Sequence, residues 1–452
     1  MKRLFSWRSS PPSSLPVHAV ALLLLSSCSS SVVTPDPPTT EAAKVDVPTK
    51  ASVDQGRSVR LALKLTGALP ADVKLRASTG LTATLEGSEI VVSAGYDAPA
   101  QGTLAIDSKE AHADVAIEVR ALDWKARVTW KADEGPVARE HGTFFEDDAK
   151  RVAYMLHGSG YAPYGEPVAD SFVYDVGARV WAPWTPTGDV PEPAGGRRSS
   201  RAPGTDVHYL YGGYLKGDKD SADIYRVDLG NPQKTFTKLA QSGTAPVGRS
   251  LHTFAFDAAG SRVVAFGGAS YATPGLVVGD TWLGAVSGDT VTWTELKSET
   301  KPSPRYGSFT GFDPKTRKLV VWSGAQKPKG GDQVNAAQDA WTLDLSKDPP
   351  VWAELPLGDS PPPGRRNGCG IFEPVSQRLF VFGGTKDAKV TEPGLLVLDL
   401  GAKEPRFSLV ERTGEPPLRS SGFGFVDVKT NDVYCGFGND RAAFLDLNVI
   451  GH

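Results

Sequence analysis

The chain has 452 residues, of which 40% are hydrophobic, and its formal net charge at pH 7 is −3. Its 48 glycines and 35 prolines favour many turns over long helices. The slightly negative charge argues against a nucleic-acid-binding protein, because such proteins concentrate positive charge to displace counterions.

Residues 1–27 combine a short basic segment with an apolar run. Basic residues precede the apolar run Val17–Leu25, which is too short to cross about 30 Å of hydrocarbon as a helix. The run ends in Leu25-Ser26-Ser27-Cys28, which resembles the lipobox of bacterial lipoproteins. Residues 1–27 are therefore predicted to be a lipoprotein signal peptide, and Cys28 is predicted to carry a lipid and to be the first mature residue. By the rule for this class, Ser29 after the cysteine favours the outer membrane. The alternative is an ordinary secretory signal with an incidental cysteine.

Residues 28–43 are mostly Ser, Thr, Pro and Val without periodicity, which predicts a flexible tether. Residues 44–121 then show alternating patterns, such as Val59, Leu61, Leu63 and Leu65 on one side of a strand. About seven such strands predict a small β-sandwich. This segment has no Cys and no Trp, so its resemblance to immunoglobulin domains is loose. Tryptophans become frequent from Trp124 onward, which marks a domain boundary near residue 122.

A unit recurs six times from Arg139 to the C-terminus, and in its third copy it begins as RSLHTFAFDAAGSRVVAFGG. An arginine opens each unit, and in five of the six an acid follows eight positions later and a glycine pair or its remnant at eighteen. The second unit, opening near Arg198, lacks the acid and reaches Gly212 and Gly213 early. The opening arginines are Arg139, Arg198, Arg249, Arg305, Arg365 and Arg419. The acids are Asp147, Asp257, Asp313, Glu373 and Asp427. The third unit contains four short apolar stretches with turns between them, as in one blade of a β-propeller.

The chain from Arg139 to its end resembles kelch and galactose-oxidase-type propellers through the segments VAFGG, FVFGG and YLYGG. Its repeat spacing of about 56 residues is close to the roughly 50 of kelch repeats, and the predicted propeller domain covers residues 122–452. The sequence therefore predicts an all-β chain, with a six-bladed kelch-type β-propeller after the small β-sandwich. The sixth unit lacks an outer strand, while Val128-Thr129-Trp130 matches the outer strand Val291-Thr292-Trp293 of the third. We expect this N-terminal segment to complete the last blade, since an open ring would expose strand edges.

No motif points to catalysis, a metal or a cofactor. The repeated acids suit turns, because Asp bonds its own backbone there, and the glycine pairs suit tight packing at strand ends. The histidines lack the HxH or HExxH spacing of metal ligands, and no residue set matches the copper ligands of galactose oxidase. Cys369 and Cys435 are expected to be buried free thiols, with a disulfide between adjacent blades as the alternative.

The repeated arginines have two interpretations. Propeller geometry gathers them around one mouth of the channel, where a ring of guanidinium groups would bind a carboxylate or sulfate. Alternatively, each packs on its neighbouring blade or bonds backbone carbonyls. Long loops at the same mouth carry tyrosines that often anchor interfaces. The candidate binding face thus adds Tyr161, Tyr164, Tyr214 and Tyr271 to the arginines.

The leading functional hypothesis is a non-enzymatic lipoprotein of the bacterial cell envelope, anchored through Cys28, that presents the propeller to a protein or glycan partner. A carbohydrate-active propeller enzyme of mutarotase, lyase or oxidase type is the second hypothesis. A structural envelope component is the third. A cluster of His, Glu and Tyr at the channel mouth would favour the enzyme, and an arginine and aromatic surface would favour the binder.

Overall fold

The computed structural model describes residues 44–66, 70–108, 111–160, 165–326, 335–358, 360–386, 389–390, 394–402, 404–410, 419–438 and 445–452. Strands dominate these residues, and the helices among them are two 3-10 turns at Pro70–Asp72 and Ala258–Gly260. The predicted all-β class is confirmed.

The N-terminal domain packs one four-stranded sheet against a three-stranded sheet. Its strands are β1 (Lys44–Asp46), β2 (Lys50–Asp54), β3 (Ser58–Ala62), β4 (Lys64–Thr66), β5 (Lys74–Ala77), β6 (Leu81–Glu86), β7 (Glu89–Ala94), β8 (Gln101–Ser108) and β9 (Ala111–Arg120). The sheet orders are β2-β9-β8-β5 and β3-β7-β6, and β1 pairs with β4. Leu61, Ile90, Leu104 and Val115 lie in the core between the sheets, since alternate residues of each strand point inward.

The remaining strands form the propeller. In chain order they are β10 (Asp123–Thr129), β11 (Arg139–Glu140), β12 (Thr143–Asp147), β13 (Val152–Leu156), β14 (Ser159–Gly160), β15 (Ser171–Asp175), β16 (Val180–Pro183), β17 (Arg198–Arg201), β18 (Val207–Tyr211), β19 (Tyr214–Leu215), β20 (Lys219–Asp220), β21 (Ile224–Asp228), β22 (Phe236–Lys238), β23 (Ala240–Gly243), β24 (Thr253–Asp257), β25 (Arg262–Phe266), β26 (Ala269–Ser270), β27 (Leu276–Val277), β28 (Thr281–Ser287), β29 (Thr290–Glu295), β30 (Phe309–Asp313), β31 (Lys318–Trp322), β32 (Ala325–Gln326), β33 (Asn335–Ala336), β34 (Ala340–Asp344), β35 (Val351–Leu355), β36 (Cys369–Glu373), β37 (Arg378–Phe382), β38 (Thr385–Lys386), β39 (Lys389–Val390), β40 (Leu395–Asp399), β41 (Arg406–Val410), β42 (Phe423–Asp427), β43 (Asp432–Gly436) and β44 (Asp446–Gly451).

Six antiparallel sheets of these strands are the blades, numbered here along the chain by their innermost strands. From the innermost strand outward they are β12-β13-β15-β16, β17-β18-β21-β22, β24-β25-β28-β29, β30-β31-β34-β35, β36-β37-β40-β41 and β42-β43-β44-β10. In the third blade, β23 adds a parallel fifth strand beside β29. The innermost strands are neighbours around the ring, and β12 also contacts β42. The sixth blade takes β10 as its outer strand, paired with β44 from Asp123↔Gly451 to Thr129↔Asp446.

Two closed rings of backbone hydrogen bonds join the blades at the end of the channel where each innermost strand begins. In the first, which we call the collar, each blade donates an N–H to the carbonyl of the blade before it. The donor–acceptor pairs are His141–Ser421, Gly196–His141, Leu251–Gly196, Gly307–Leu251, Asn367–Gly307 and Ser421–Asn367. All six residues have positive φ, from 53° at His141 and Asn367 to 67° at Gly196. A left-handed backbone is unfavourable for residues such as Leu251, so the ring of bonds compensates for strain around the whole mouth.

The second ring explains the glycine pairs. The N–H of the second residue of each pair donates to a carbonyl of the next blade, as Gly213 does to Arg249 and Gly268 to Arg305, both at 2.8 Å. A Cβ on Gly267 would lie only 2.5 Å from the Arg305 carbonyl oxygen, and the φ of Gly267 is 66°. Glycine is therefore favoured both by the left-handed backbone and by the close approach of the next blade.

The sandwich contacts the fifth blade at the opposite end of the channel. Arg57 Nη2 lies 3.6 Å from Glu373 Oε2, at the end of innermost strand β36. The guanidinium of Arg378 lies 5.5 Å from the centre of the Tyr96 ring. Because β36 starts at the collar and ends at Glu373, the N-terminal domain leaves the collar end of the channel uncovered.

Candidate functional site

The opening arginines are buried structural groups. Arg249 donates from Nε to the Val247 carbonyl, from Nη1 to the Gly267 carbonyl, and through both terminal nitrogens to Asp280 at 2.6 and 3.0 Å. The same pattern joins Arg139 to Asp170, Arg305 to Asp339, and Arg419 to Asp446. These four arginines and Arg365 are at most 2% exposed. We call each arginine–aspartate pair with its carbonyl acceptors an arginine knot.

This geometry supports the structural interpretation of the arginines and corrects their inclusion in the binding face. Arg139, Arg249, Arg305, Arg365 and Arg419 point into their own blades, where each guanidinium bonds the carbonyl of the residue eighteen positions further along the chain. The interpretation in which their guanidinium groups form an open ring around the channel is therefore wrong. These groups are buried, and a buried guanidinium must donate its hydrogen bonds to acceptors within the protein.

Blade two departs from the repeat in a way that the sequence count missed. Gly195 pairs with Tyr214 as Ser250 does with Ala269, so the residue in the opening position is Ala194 rather than Arg198. Arg197 fills the space of the missing arginine from a different backbone position, donating from Nε to the Gly212 carbonyl at 2.9 Å. Arg198 instead donates to the His252 carbonyl at 3.2 Å.

The aspartates of the knots were also missed. Each lies at the first residue of the third strand of its blade or directly before it, and three of the four precede an aromatic residue by two positions. Trp282 Nε1 donates to Asp280 and Trp341 Nε1 donates to Asp339, both at 2.7 Å. Burial alone would raise the pKa of Asp280, but hydrogen bonds from Arg249 and its charge outweigh burial and lower it. In the sequence, these aspartates could have been identified from a repeated pattern in which an aromatic residue follows an aspartate by two positions.

The acids at position eight lie at the far end of the innermost strands and cap turns, as expected. Asp313 accepts the Lys315 N–H at 2.9 Å, and Asp427 accepts the Lys429 N–H at 3.1 Å. They also bind the following blade, since Arg317 donates to Asp257 at 2.7 and 3.0 Å. Turn formation and blade adhesion account for these carboxylates without catalysis.

A cavity of about 1120 Å³ opens at the collar end of the channel. Many of its lining residues occupy the two positions after the opening arginine or its equivalent, where the collar turns the chain toward the axis. They include Glu140 and His141 of blade one, Tyr306 of blade four, Arg366 and Asn367 of blade five, and Ser420 and Ser421 of blade six. Each opening arginine thus fixes the position of the backbone, and the side chains of the two residues that follow it face the cavity.

Two of the predicted tyrosines meet on one side of this cavity. The rings of Tyr214 and Tyr271 stack with centroids 4.5 Å apart and an interplanar angle of 28°. The Tyr214 hydroxyl hydrogen-bonds to the Ser159 hydroxyl, and the His141 ring lies edge-on to Tyr214 at 6.3 Å. Tyr161 and Tyr164 lie outside the described residues. The stacked pair, defined as the tyrosine platform, is the part of the predicted binding face that the structure places at the cavity.

Charged groups occupy both sides of the cavity. Glu140 Oε2 lies 3.9 Å from His141 Nε2, and burial raises the pKa of Glu140. Burial and the nearby Arg198 lower the pKa of His141 to about 3, so His141 is neutral at physiological pH. On blade five, Arg366 donates to the Tyr306 hydroxyl at 2.8 Å. The sequence search overlooked Glu140, His141, Tyr306 and Arg366 because nothing in the repeat marks them.

Cys369 and Cys435 form a disulfide between blades five and six, with Cα atoms 6.2 Å apart. This corrects the expectation of two free thiols: β36 and β43 approach closely enough for the two side chains to meet. Cys28, the predicted lipidation site, lies outside the described residues. Within the described ranges, no group of three His, Cys, Asp or Glu side chains could hold a metal ion. The described part of the chain also contains no helix with the length and apolar character needed to cross a membrane.

Comparisons with known proteins agree with this architecture. The KLHDC2/KLHL20/DRC7 Kelch-repeats domain model matches residues 148–310. Adagio protein 3 of Arabidopsis thaliana is 28% identical over 204 residues, which cover 44% of this chain and 32% of the plant protein. Adagio-like protein 3 of Oryza sativa subsp. japonica is 28% identical over 198 residues, covering 43% of this chain and 30% of that protein. The chain thus spans about a third of the length of these relatives.

The solved structure titled "Structure of YjhT" superposes with a TM-score of 0.50 at 15% identity, covering 71% of this chain and 95% of the other. At that identity the likeness concerns the fold alone. Together with the blade geometry, the comparisons show that this chain contains a kelch-type β-propeller.

Proposed function

We propose that the protein is a non-enzymatic, carbohydrate-binding propeller that takes one end of a glycan into the collar cavity. The tyrosine platform, facing a concave space lined with hydroxyl, amide and charged groups, carries this proposal. A sugar ring packs its C–H face on an aromatic ring and hydrogen-bonds its hydroxyls to planar polar side chains. A cavity of about 1120 Å³ is slightly larger than the usual range for small-molecule sites, about 300–1000 Å³, and suits more than one sugar unit.

The chain geometry at the mouth favours a glycan over an extended peptide. Peptides often bind by adding a strand to an open sheet edge. In the described residues beside the platform, the short strands are already paired with each other, β19 with β20 and β26 with β27. A protein partner would have to dock on the rim rather than enter as a strand.

Anchoring in the bacterial cell envelope through Cys28 is part of the proposal and rests on the lipobox-like sequence. A chain tethered through residues 28–43 would carry its cavity away from the lipid surface, within reach of envelope glycans. Metabolic labelling with a palmitate analogue tests this anchoring: labelling that a Cys28→Ser variant abolishes supports it, and unchanged labelling of that variant contradicts it.

The binding proposal is tested by a glycan array followed by titration calorimetry of the best saccharide against the full chain. Tyr271→Ala removes half of the platform and is expected to weaken binding by about tenfold or more, since a single aromatic anchor contributes about 1–2 kcal/mol. Val375→Ala is the matched control, because Val375 is 64% exposed in a turn at the opposite end of the channel. If both variants bind the saccharide as the wild type does, the platform is not the site.

A carbohydrate-active enzyme is the second candidate, and one observation favours it. Glu140 and His141 lie together in the cavity, the first with a raised pKa and the second with a lowered one, as in many acid–base pairs. Proton NMR of a bound saccharide distinguishes the two candidates. Conversion of the sugar that disappears in Glu140→Gln supports the enzyme, whereas binding without conversion supports the binder.

A further inference from the structure

Glu140 places a carboxyl group at the collar cavity, and no cationic partner for it lies among the residues that the structure describes. Its side chain is 19% exposed, and its neighbours are the Ser421 hydroxyl and the ring of His141, which is neutral. Across the described residues, no lysine or arginine forms an ion pair with this carboxylate. A carboxylate that is largely buried without a counterion is costly, and a positive group bound beside Glu140 would relieve that cost.

The surroundings of Glu140 suit an ammonium group. The tyrosine platform lies near Glu140. The ring of His141, the next residue in the chain, contacts Tyr214 edge-on, and Tyr214 stacks on Tyr271. A carboxylate next to aromatic faces binds cations through an ion pair and a cation–π contribution together. The blade-one side of the cavity is therefore a subsite for a protonated amine.

Arg366 presents the opposite charge on blade five. One of its terminal nitrogens donates to the Tyr306 hydroxyl at 2.8 Å, and its guanidinium lies 6.0 Å from the centre of that ring. Unlike the arginines of the knots, Arg366 has no carboxylate partner among the residues that the structure describes. Its remaining donors form a planar fork, which matches the two oxygens of a carboxylate.

Blade six lies between these two groups, and the residues that the structure describes there contribute the hydroxyls of Ser420 and Ser421 to the cavity lining. The amine subsite and the carboxylate subsite therefore face one space across uncharged polar groups. We propose that the saccharide bound in the collar cavity is zwitterionic: its protonated amine pairs with Glu140 and its carboxylate pairs with Arg366. This inference rests on the proposed carbohydrate binding and specifies the class of sugar.

Three amino-sugar probes test the inference by titration calorimetry with the full chain, at a pH where the sugar amine is protonated. Muramic acid carries both charges, N-acetylmuramic acid lacks the amine charge, and glucosamine lacks the carboxylate. Muramic acid is expected to bind about tenfold more tightly than either of the others, because each charge-assisted contact contributes about 1.5 kcal/mol or more.

Charge-neutral variants assign each preference to its residue. Glu140→Gln should abolish the preference over N-acetylmuramic acid, and Arg366→Gln should abolish the preference over glucosamine, while Arg366→Lys retains part of the second preference. Glu354→Gln and Arg179→Gln are the controls, since both residues are exposed and lie outside the cavity lining. Melting temperatures are measured in parallel, and if a variant does not fold, the wild-type ranking of the three probes decides.

Equal affinity for muramic acid, its N-acetyl form and glucosamine would overturn the zwitterion assignment while leaving saccharide binding intact. A preference that survives both Glu140→Gln and Arg366→Gln would also overturn it. If no saccharide on the array binds the wild type, the proposed function itself fails, and this inference fails with it.

Discussion

Replacing Arg249 by alanine should destabilise the propeller without directly touching the cavity. The substitution leaves the Asp280 carboxylate without its bidentate partner and the Val247 and Gly267 carbonyls without their donor. Removing one member of a buried ion pair lowers the free energy of unfolding by about 3–5 kcal/mol. The Asp280 side chain is 26% exposed, and water there screens its charge, so we expect the free energy of unfolding to fall by an amount near the lower end, about 3 kcal/mol.

This loss corresponds to a modest shift in melting temperature. An unfolding entropy of about 2.1 cal/mol/K per residue, over roughly 330 propeller residues, gives about 0.7 kcal/mol/K and hence a decrease of about 4 °C. Arg198→Ala is the matched control, because among the described residues the Arg198 side chain makes one hydrogen bond, to the His252 carbonyl, and its loss should cost about 1 kcal/mol. Differential scanning calorimetry measures both. An Arg249→Ala protein that melts like the wild type but has lost saccharide binding would refute the knot and restore the arginines as binding residues.

Three further predictions concern the stability of the ring. Reducing the Cys369–Cys435 disulfide, which links positions 66 residues apart, should lower the free energy of unfolding by about 2–4 kcal/mol in urea titrations, and alkylation of two free thiols in the unreduced protein would contradict it. Deleting the chain through Lys131 removes β10 and exposes the edge of β44, so light scattering should detect oligomers, and a monomer with unchanged melting would contradict the closure. Stability should fall as the pH drops below about 6.5, by up to about 1.4 kcal/mol per pH unit for each buried histidine, because these side chains take up protons there in the unfolded chain and not in the folded one. Glu146, whose pKa burial raises to about 7, takes up a proton in the folded chain and offsets part of this loss. Equal melting temperatures at pH 7 and pH 5 would contradict this prediction. The buried histidines with lowered pKa are His141, His157, His208 and His252.

The repeat made the fold predictable because its most regular residues are fixed by backbone geometry. The glycines at position eighteen need a left-handed backbone and room for the next blade, and the acids at position eight cap turns, so both recur at constant spacing. The match of Val128–Trp130 to Val291–Trp293 pointed to an outer strand, and the structure pairs that region, as β10, with β44. Residues that local backbone geometry requires recur at constant spacing, and such spacing can be recognised in the sequence.

The site was less predictable because ligand contacts vary where the scaffold is constant. The residue after the opening position is Glu140 in blade one, Tyr306 in blade four and Arg366 in blade five, so no motif connects them. The regular spacing of the arginines suggested a binding role for them, but they recur because each forms an arginine knot within its blade. In blade two, counting from Arg198 failed because Ala194 holds the opening position and Arg197 replaces the guanidinium from three residues further along.

A crystal structure of the full chain with muramic acid bound would test the central claim most directly. The account predicts electron density for the sugar in the collar cavity, with its ring against Tyr214 and Tyr271, its amine at Glu140 and its carboxylate at Arg366. A sugar bound elsewhere on the propeller or on the N-terminal domain, with the cavity empty, would contradict the account.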